Sequence, residues 1–128
     1  MSNKVFVYGT LQSGNSQRGL CQFGEELAQF VGKAHTTESQ FGMLNLGAFP
    51  GVIMGGVYDV SGEVWEVTDD CMEQLDWIEG YPEFYSRRLT ETTQGTAWMY
   101  YLKSPDRYGS EAVTSGNHGV LEWSGIHT

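Results

Sequence analysis

Lys4 to Tyr8 is a short apolar run rich in Val and aromatic residues. Both of its alternating sets are apolar, which predicts a central strand buried on two faces. A Gly-rich loop follows from Gly9 to Asn15. Leu20, Phe23, Leu27 and Phe30 or Val31 then recur at spacings of three and four, predicting a helix over Ser16 to Phe30 that ends at Gly32. Gly19 and Gly24 weaken that helix by about 1 kcal/mol each relative to Ala, so packing must hold it. Lys33 to Met54 reads as short strands and turns, punctuated by Gly42, Gly47, Pro50-Gly51 and Gly55-Gly56.

Val57 to Asp59 and Glu63 to Val67 read as two strands joined by a turn at Val60-Ser61-Gly62. In the second, Val64 and Glu66 face one way, Trp65 and Val67 the other. A helix then starts from a cap at Thr68, Asp69 or Asp70. Cys71, Leu75 and Ile78 form its apolar stripe, with Met72 beside it. Gly80 suits the position just past the helix end, and Pro82 prevents resumption. Arg87 to Thr92 and a segment starting at Gly95 read as strands. Within the latter, Ala97 to Leu102 is strongly strand-like, with Trp98 and Tyr100 on one face. The tail after Lys103 has few periodic signals and is expected to pack through Val120-Leu121 and Trp123. Many strands with two helices, and no strand–helix alternation, predict an α+β fold built on a small, mixed, strongly curved sheet or barrel with flanking helices.

The 128 residues fit one domain, 1–128. A hydrophobic fraction of 40% and an aromatic fraction of 13% exclude a disordered chain. The formal charge of -9 argues against nucleic acid or an anionic membrane as partner, since both need a positive footprint. No segment approaches the length of a bilayer span. The first residues lead into a strand rather than a signal peptide, so a cytoplasmic protein is expected, as a monomer or weak homodimer. Cys21 and Cys71 read as buried free thiols. His35, His118 and His127 lack ligand spacing, so no metal site and no cofactor is expected.

Two places carry candidate chemistry. Tyr8-Gly9-Thr10-Leu11 puts a glycine at the end of the central strand, where successive backbone N–H groups can converge on a carboxylate or phosphate. The same residues also suit an ordinary tight turn. Glu79 falls in the last turn of the second predicted helix, where the dipole disfavours a negative charge by roughly 0.3–1 kcal/mol. Burial near Trp77, Tyr81 or Phe84 would raise its pKa further and suit it to proton transfer. The plainer alternative is an exposed helix-end carboxylate. Asp76 and Glu83 are assigned to solvent. Tyr85 and Arg87 share a face if extended and could offer a hydroxyl and a cation to the same cleft, or be a packed Tyr and a surface Arg. Tyr100 could line the cavity from its strand.

The order and separation of Val5-Phe6-Val7-Tyr8-Gly9-Thr10-Leu11, Gly62-Glu63-Val64-Trp65-Glu66-Val67 and Leu75-Asp76-Trp77-Ile78-Glu79-Gly80-Tyr81-Pro82, with Tyr85 and Arg87, resemble the gamma-glutamylcyclotransferase-like family, which includes gamma-glutamylamine cyclotransferases and AIG2-like proteins. The resemblance runs from about Val5 to Leu102. It implies a small mixed barrel with flanking helices. It also implies that the loop at Tyr8, Gly9, Thr10 and Leu11 holds the alpha-carboxylate end of a gamma-glutamyl group, and that Glu79 is the catalytic acid. The implied reaction converts a gamma-glutamyl amine or peptide to 5-oxoproline and a free amine, without metal or cofactor. Gln12 departs from the basic residue often found there, which bears on substrate identity. The competing expectation is a non-catalytic small-molecule-binding or interaction module that keeps the family cavity.

Overall fold

The computed structural model describes residues 2–8, 26–45, 50–104, 111–112 and 120–121. The elements in chain order are β1 (Ser2–Val7), β2 (Ala28–His35), β3 (Phe41–Asn45), β4 (Pro50–Met54), β5 (Asp59–Thr68), α1 (Asp69–Ile78), β6 (Tyr85–Thr92), β7 (Gly95–Leu102), β8 (Glu111–Ala112) and β9 (Val120–Leu121). The main sheet runs β2-β5-β1-β7-β6, with β9 added to β5. A smaller sheet runs β4-β3-β8.

The doubly apolar first strand is central, as its pattern predicts. β1 pairs antiparallel with β5 and parallel with β7. Val5 and Val7 enter the core on the α1 side, while Phe6 and Tyr8 enter the core facing the small sheet. Val5, Val64, Leu75 and Met99 are fully buried, each contributing roughly 1.5–3 kcal/mol relative to exposure. The predicted split of the later strand also holds, with Val64 in one core and Trp65 and Val67 in the other.

The two outer strands of the main sheet meet. Thr36, just after β2, bridges Thr92 of β6. The Thr37 N–H donates to the Glu91 carbonyl at 3.1 Å and the Thr93 N–H to the His35 carbonyl at 3.0 Å. The mixed sheet is therefore curled towards closure, with α1 on its flank, and the fold is the small α+β curved sheet that the sequence predicts.

Three local expectations are corrected. The helix predicted to Phe30 is contradicted at its end, because Ala28–His35 is strand β2. Residues 16–25 lie outside the described part. The turn predicted at Val60-Ser61-Gly62 does not form, because β5 runs unbroken from Asp59 to Thr68. Gly62 serves close approach instead: a Cβ there would sit 2.2 Å from the Val7 carbonyl oxygen. Ile78 is half-exposed, and the buried face of α1 is Cys71, Met72 and Leu75.

Candidate active site at the end of helix α1

Helix α1 starts where Thr68, in extended conformation, accepts a hydrogen bond from the Cys71 N–H at 3.2 Å. Asp69 and Asp70 in its first turn favour the dipole. Its other end closes at Glu79, the C-cap. The Gly80 N–H donates to the Trp77 carbonyl at 3.2 Å and the Tyr81 N–H to the Asp76 carbonyl at 2.8 Å. That pair is a Schellman motif, which needs a left-handed residue after the cap, and Gly80 has φ +65°.

Glu79 is held by its backbone at both ends. Its N–H donates to the Leu75 carbonyl at 2.9 Å, and its carbonyl accepts from the Tyr85 N–H at 3.3 Å. Among the described residues, no donor is paired with its carboxyl group. Burial disfavours the carboxylate and pushes the pKa up from 4.5 to about 7. The burial does not come from Trp77, which is 85% exposed on the outer face of α1. A shallow hollow of about 530 Å³ on that outer face, lined by Asp70, Glu73, Gln74, Trp77 and Ile78, does not include Glu79.

Two tyrosines lie within the electrostatic reach of Glu79. Tyr8, which directly follows the central strand, is buried, and its hydroxyl donates to the Tyr100 carbonyl at 2.8 Å. The same oxygen accepts from the Val52 N–H at 3.1 Å. Burial chiefly, with the Glu79 charge adding, holds Tyr8 well above the usual tyrosine range, against the Val52 hydrogen bond. Tyr100 of β7 is raised too, first by burial, then by its hydrogen bond to Asp76 and the charges of Asp76 and Glu79, with Arg87 opposing. Both hydroxyls therefore stay protonated across the physiological range.

Asp76 does not take the solvent role assigned from the sequence. Its Oδ1 accepts from the Tyr100 hydroxyl at 2.7 Å and from Arg87 Nε at 2.8 Å, and its Oδ2 accepts from the second Arg87 nitrogen at 3.1 Å. The Arg87 guanidinium also lies over the Tyr81 ring at 4.6 Å and the Trp98 ring at 4.5 Å. One sequence signal pointed to Asp76: three residues before Glu79, it shares that residue's helix face. Glu83 is exposed.

The structure thus gathers Tyr8, Glu79 and Tyr100. Arg87 joins them through Asp76. Tyr85 is buried beside Phe84, with ring centres 4.9 Å apart, and meets the site through its backbone bond to Glu79. Gly9, Thr10 and Leu11 lie outside the described residues, as do Cys21, His118, Trp123 and His127. Cys71 is a buried free thiol, as expected, and burial raises its pKa. Among the described residues no three His, Cys, Asp or Glu side chains gather within reach of one metal ion, and no helix is long and apolar enough to cross a membrane.

Comparison with known proteins places this geometry. The profile of the family described as gamma-glutamyl cyclotransferase, AIG2-like, matches residues 5–123. A Vibrio cholerae relative is 38% identical over 117 residues, covering 91% of this chain and 96% of its own length. The solution structure of YtfP from Escherichia coli is similar with a TM-score of 0.63 at 30% identity, covering 88% of this chain and 93% of that one. A mouse AIG2-like protein shares the fold, with a TM-score of 0.72 at 24% identity over 99% of both chains. With a profile match over most of its length and a relative aligned nearly end to end, the chain belongs to the AIG2-like gamma-glutamyl cyclotransferase family.

Proposed function

We propose that the protein is a gamma-glutamyl cyclotransferase that converts a gamma-glutamyl amine or gamma-glutamyl peptide to 5-oxoproline and a free amine, with Glu79 moving the proton. The carrying observation is the Glu79 carboxyl: half-buried at the end of α1, paired with no described donor, and pushed up to about 7 by desolvation. A group poised there can take up a proton and return it near neutrality. Family and fold support this type of activity.

In the proposed reaction the substrate alpha-amine attacks its own gamma-carbonyl carbon, forming the ring C–N bond. Glu79 accepts the proton that this nitrogen sheds. The exocyclic C–N bond then breaks, and Glu79 delivers the proton to the departing nitrogen. No water is consumed and no covalent enzyme intermediate forms. Attacker and target belong to one molecule, so holding the chain folded back on itself supplies much of the rate. The Tyr8-Gly9-Thr10-Leu11 segment is the assigned holder of the substrate carboxylate. Tyr85 and Tyr100 are assigned to the wall of the site beside Glu79.

The test is incubation of the purified protein with gamma-glutamyl amines, gamma-glutamyl dipeptides and glutathione, with 5-oxoproline followed by mass spectrometry. Product that disappears in Glu79→Gln is the expected result. Full activity in that variant, or glutamate in place of 5-oxoproline, would overturn the reading. Ligand-induced stabilisation with no product would mark a binding module instead.

A further inference from the structure

The Glu79 carboxyl has no described hydrogen-bond partner to aim it, so its direction is inherited from the backbone at the end of α1. Asp76 holds that end from two sides. Its backbone carbonyl closes the Schellman motif by accepting from Tyr81, while its carboxylate is gripped by β6 through Arg87 and by β7 through Tyr100. The Arg87 contact is a two-pronged fork, the most directional ion-pair geometry available to a carboxylate. The ion pair is partly shielded, with side-chain exposures of 19% for Arg87 and 20% for Asp76. The Tyr81 and Trp98 rings flank the guanidinium, and Tyr81 itself belongs to the motif that ends the helix.

We infer that Asp76 and Arg87 are positioning residues, whose ion pair latches the end of α1 to β6 and β7 and so sets where the Glu79 carboxyl is presented. The catalytic use of that placement rests on the proposed cyclotransferase reaction; the latch itself does not. Arg87 on this account serves the helix end rather than the substrate carboxylate, because its Nε edge is engaged by Asp76 and aromatic rings lie over its plane. The groups facing this region are Tyr8 just after β1, Tyr100 from β7, Asp76 from α1 and Arg87 from β6. The tyrosines are neutral and the other two offset each other. A charge-conserving change in the latch therefore alters the titration of Glu79 only by moving or hydrating it.

Arg87→Lys is that change: the charge stays, while the planar fork and ring stacking go. Two readouts are measured, steady-state kinetics and the titration of Glu79 by carboxyl carbon NMR. The expected result is a fall in kcat of about tenfold with KM little changed, from misplacement of the proton-transfer group. The Glu79 midpoint should fall by about one pH unit as water reaches the carboxyl. A raised KM with unchanged kcat and midpoint would make Arg87 a substrate ligand and overturn the inference. Unaltered kinetics and midpoint would overturn it too. Asp76→Asn, which keeps the side-chain shape and an acceptor for Tyr100, gives the same kinetic test if Arg87→Lys fails to fold. If the wild-type protein forms no 5-oxoproline, the reaction reading fails, and the NMR midpoint still decides the latch.

Discussion

The hydroxyl of Tyr8 donates to the main-chain carbonyl of Tyr100 at 2.8 Å, across the parallel pairing of the first and seventh strands. The same oxygen takes a hydrogen bond from Val52, so one side chain ties the main sheet to the small one. Tyr8→Phe removes the donor and leaves the buried Val52 N–H without this acceptor. The expected loss is about 1–3 kcal/mol of stability, read from urea unfolding at neutral pH.

Glu79→Gln should make the protein more stable at pH 8. Folding raises this carboxyl from 4.5 to about 7, so the folded state holds more of its proton than the unfolded state between those values. Stability from this group is therefore complete below about 4.5 and is lost as pH rises to about 7. At about 1.4 kcal/mol per tenfold, the penalty at pH 8 is about 3 kcal/mol. Gln carries no such penalty. Urea unfolding of both proteins at pH 4 and pH 8 should show the difference only at the higher pH.

Turnover should follow the same ionisation. Glu79 must be deprotonated to accept the amine proton, so kcat/KM should rise with pH through a midpoint of about 7 and then level. A profile flat from pH 5 to pH 8 would remove Glu79 from the base role.

Gly80→Ala strikes the helix end rather than the carboxyl. The left-handed conformation at φ +65° costs an alanine about 1–2 kcal/mol, and the new Cβ would meet Phe84 Cβ at 3.1 Å. Thermal unfolding should show the loss, and turnover should fall with it because Glu79 is the preceding residue.

Trp77→Ala is the counterpart. With this side chain 85% exposed, stability should stay within about 0.5 kcal/mol and the Glu79 titration should not move. A large shift in that titration would mean that Trp77 shields the carboxyl in solution.

The parts legible in the sequence were those with local causes. The apolar faces of Val5 to Tyr8 announced a central strand, and Gly80 followed by Pro82 announced the helix end beside Glu79. What failed had causes far along the chain. Phe30 is 50% exposed and Val31 38% exposed on β2, and the register shifts between Phe30 and Gly32, so the strand hides its two-residue period and mimics helical spacing. Gly62 looked like a turn because its actual reason, the Val7 backbone pressed against it, lies 55 positions earlier in the chain. Asp76 looked like a surface acid because Arg87 and Tyr100 stand 11 and 24 residues downstream.

The parallel pairing of Val5 with Trp98 and Phe6 with Met99 has a consequence for assembly. Tyr8 and Tyr100 are separated by 92 residues, with Glu79 capping the end of an intervening helix. Loops of that size must close before their contacts repay the lost chain entropy, which makes such topologies slow and cooperative. No stretch of consecutive residues brings the three groups together. A nascent chain therefore carries no half-built centre, and Glu79 comes to lie near Tyr8 and Tyr100 together only when the seventh strand docks beside the first.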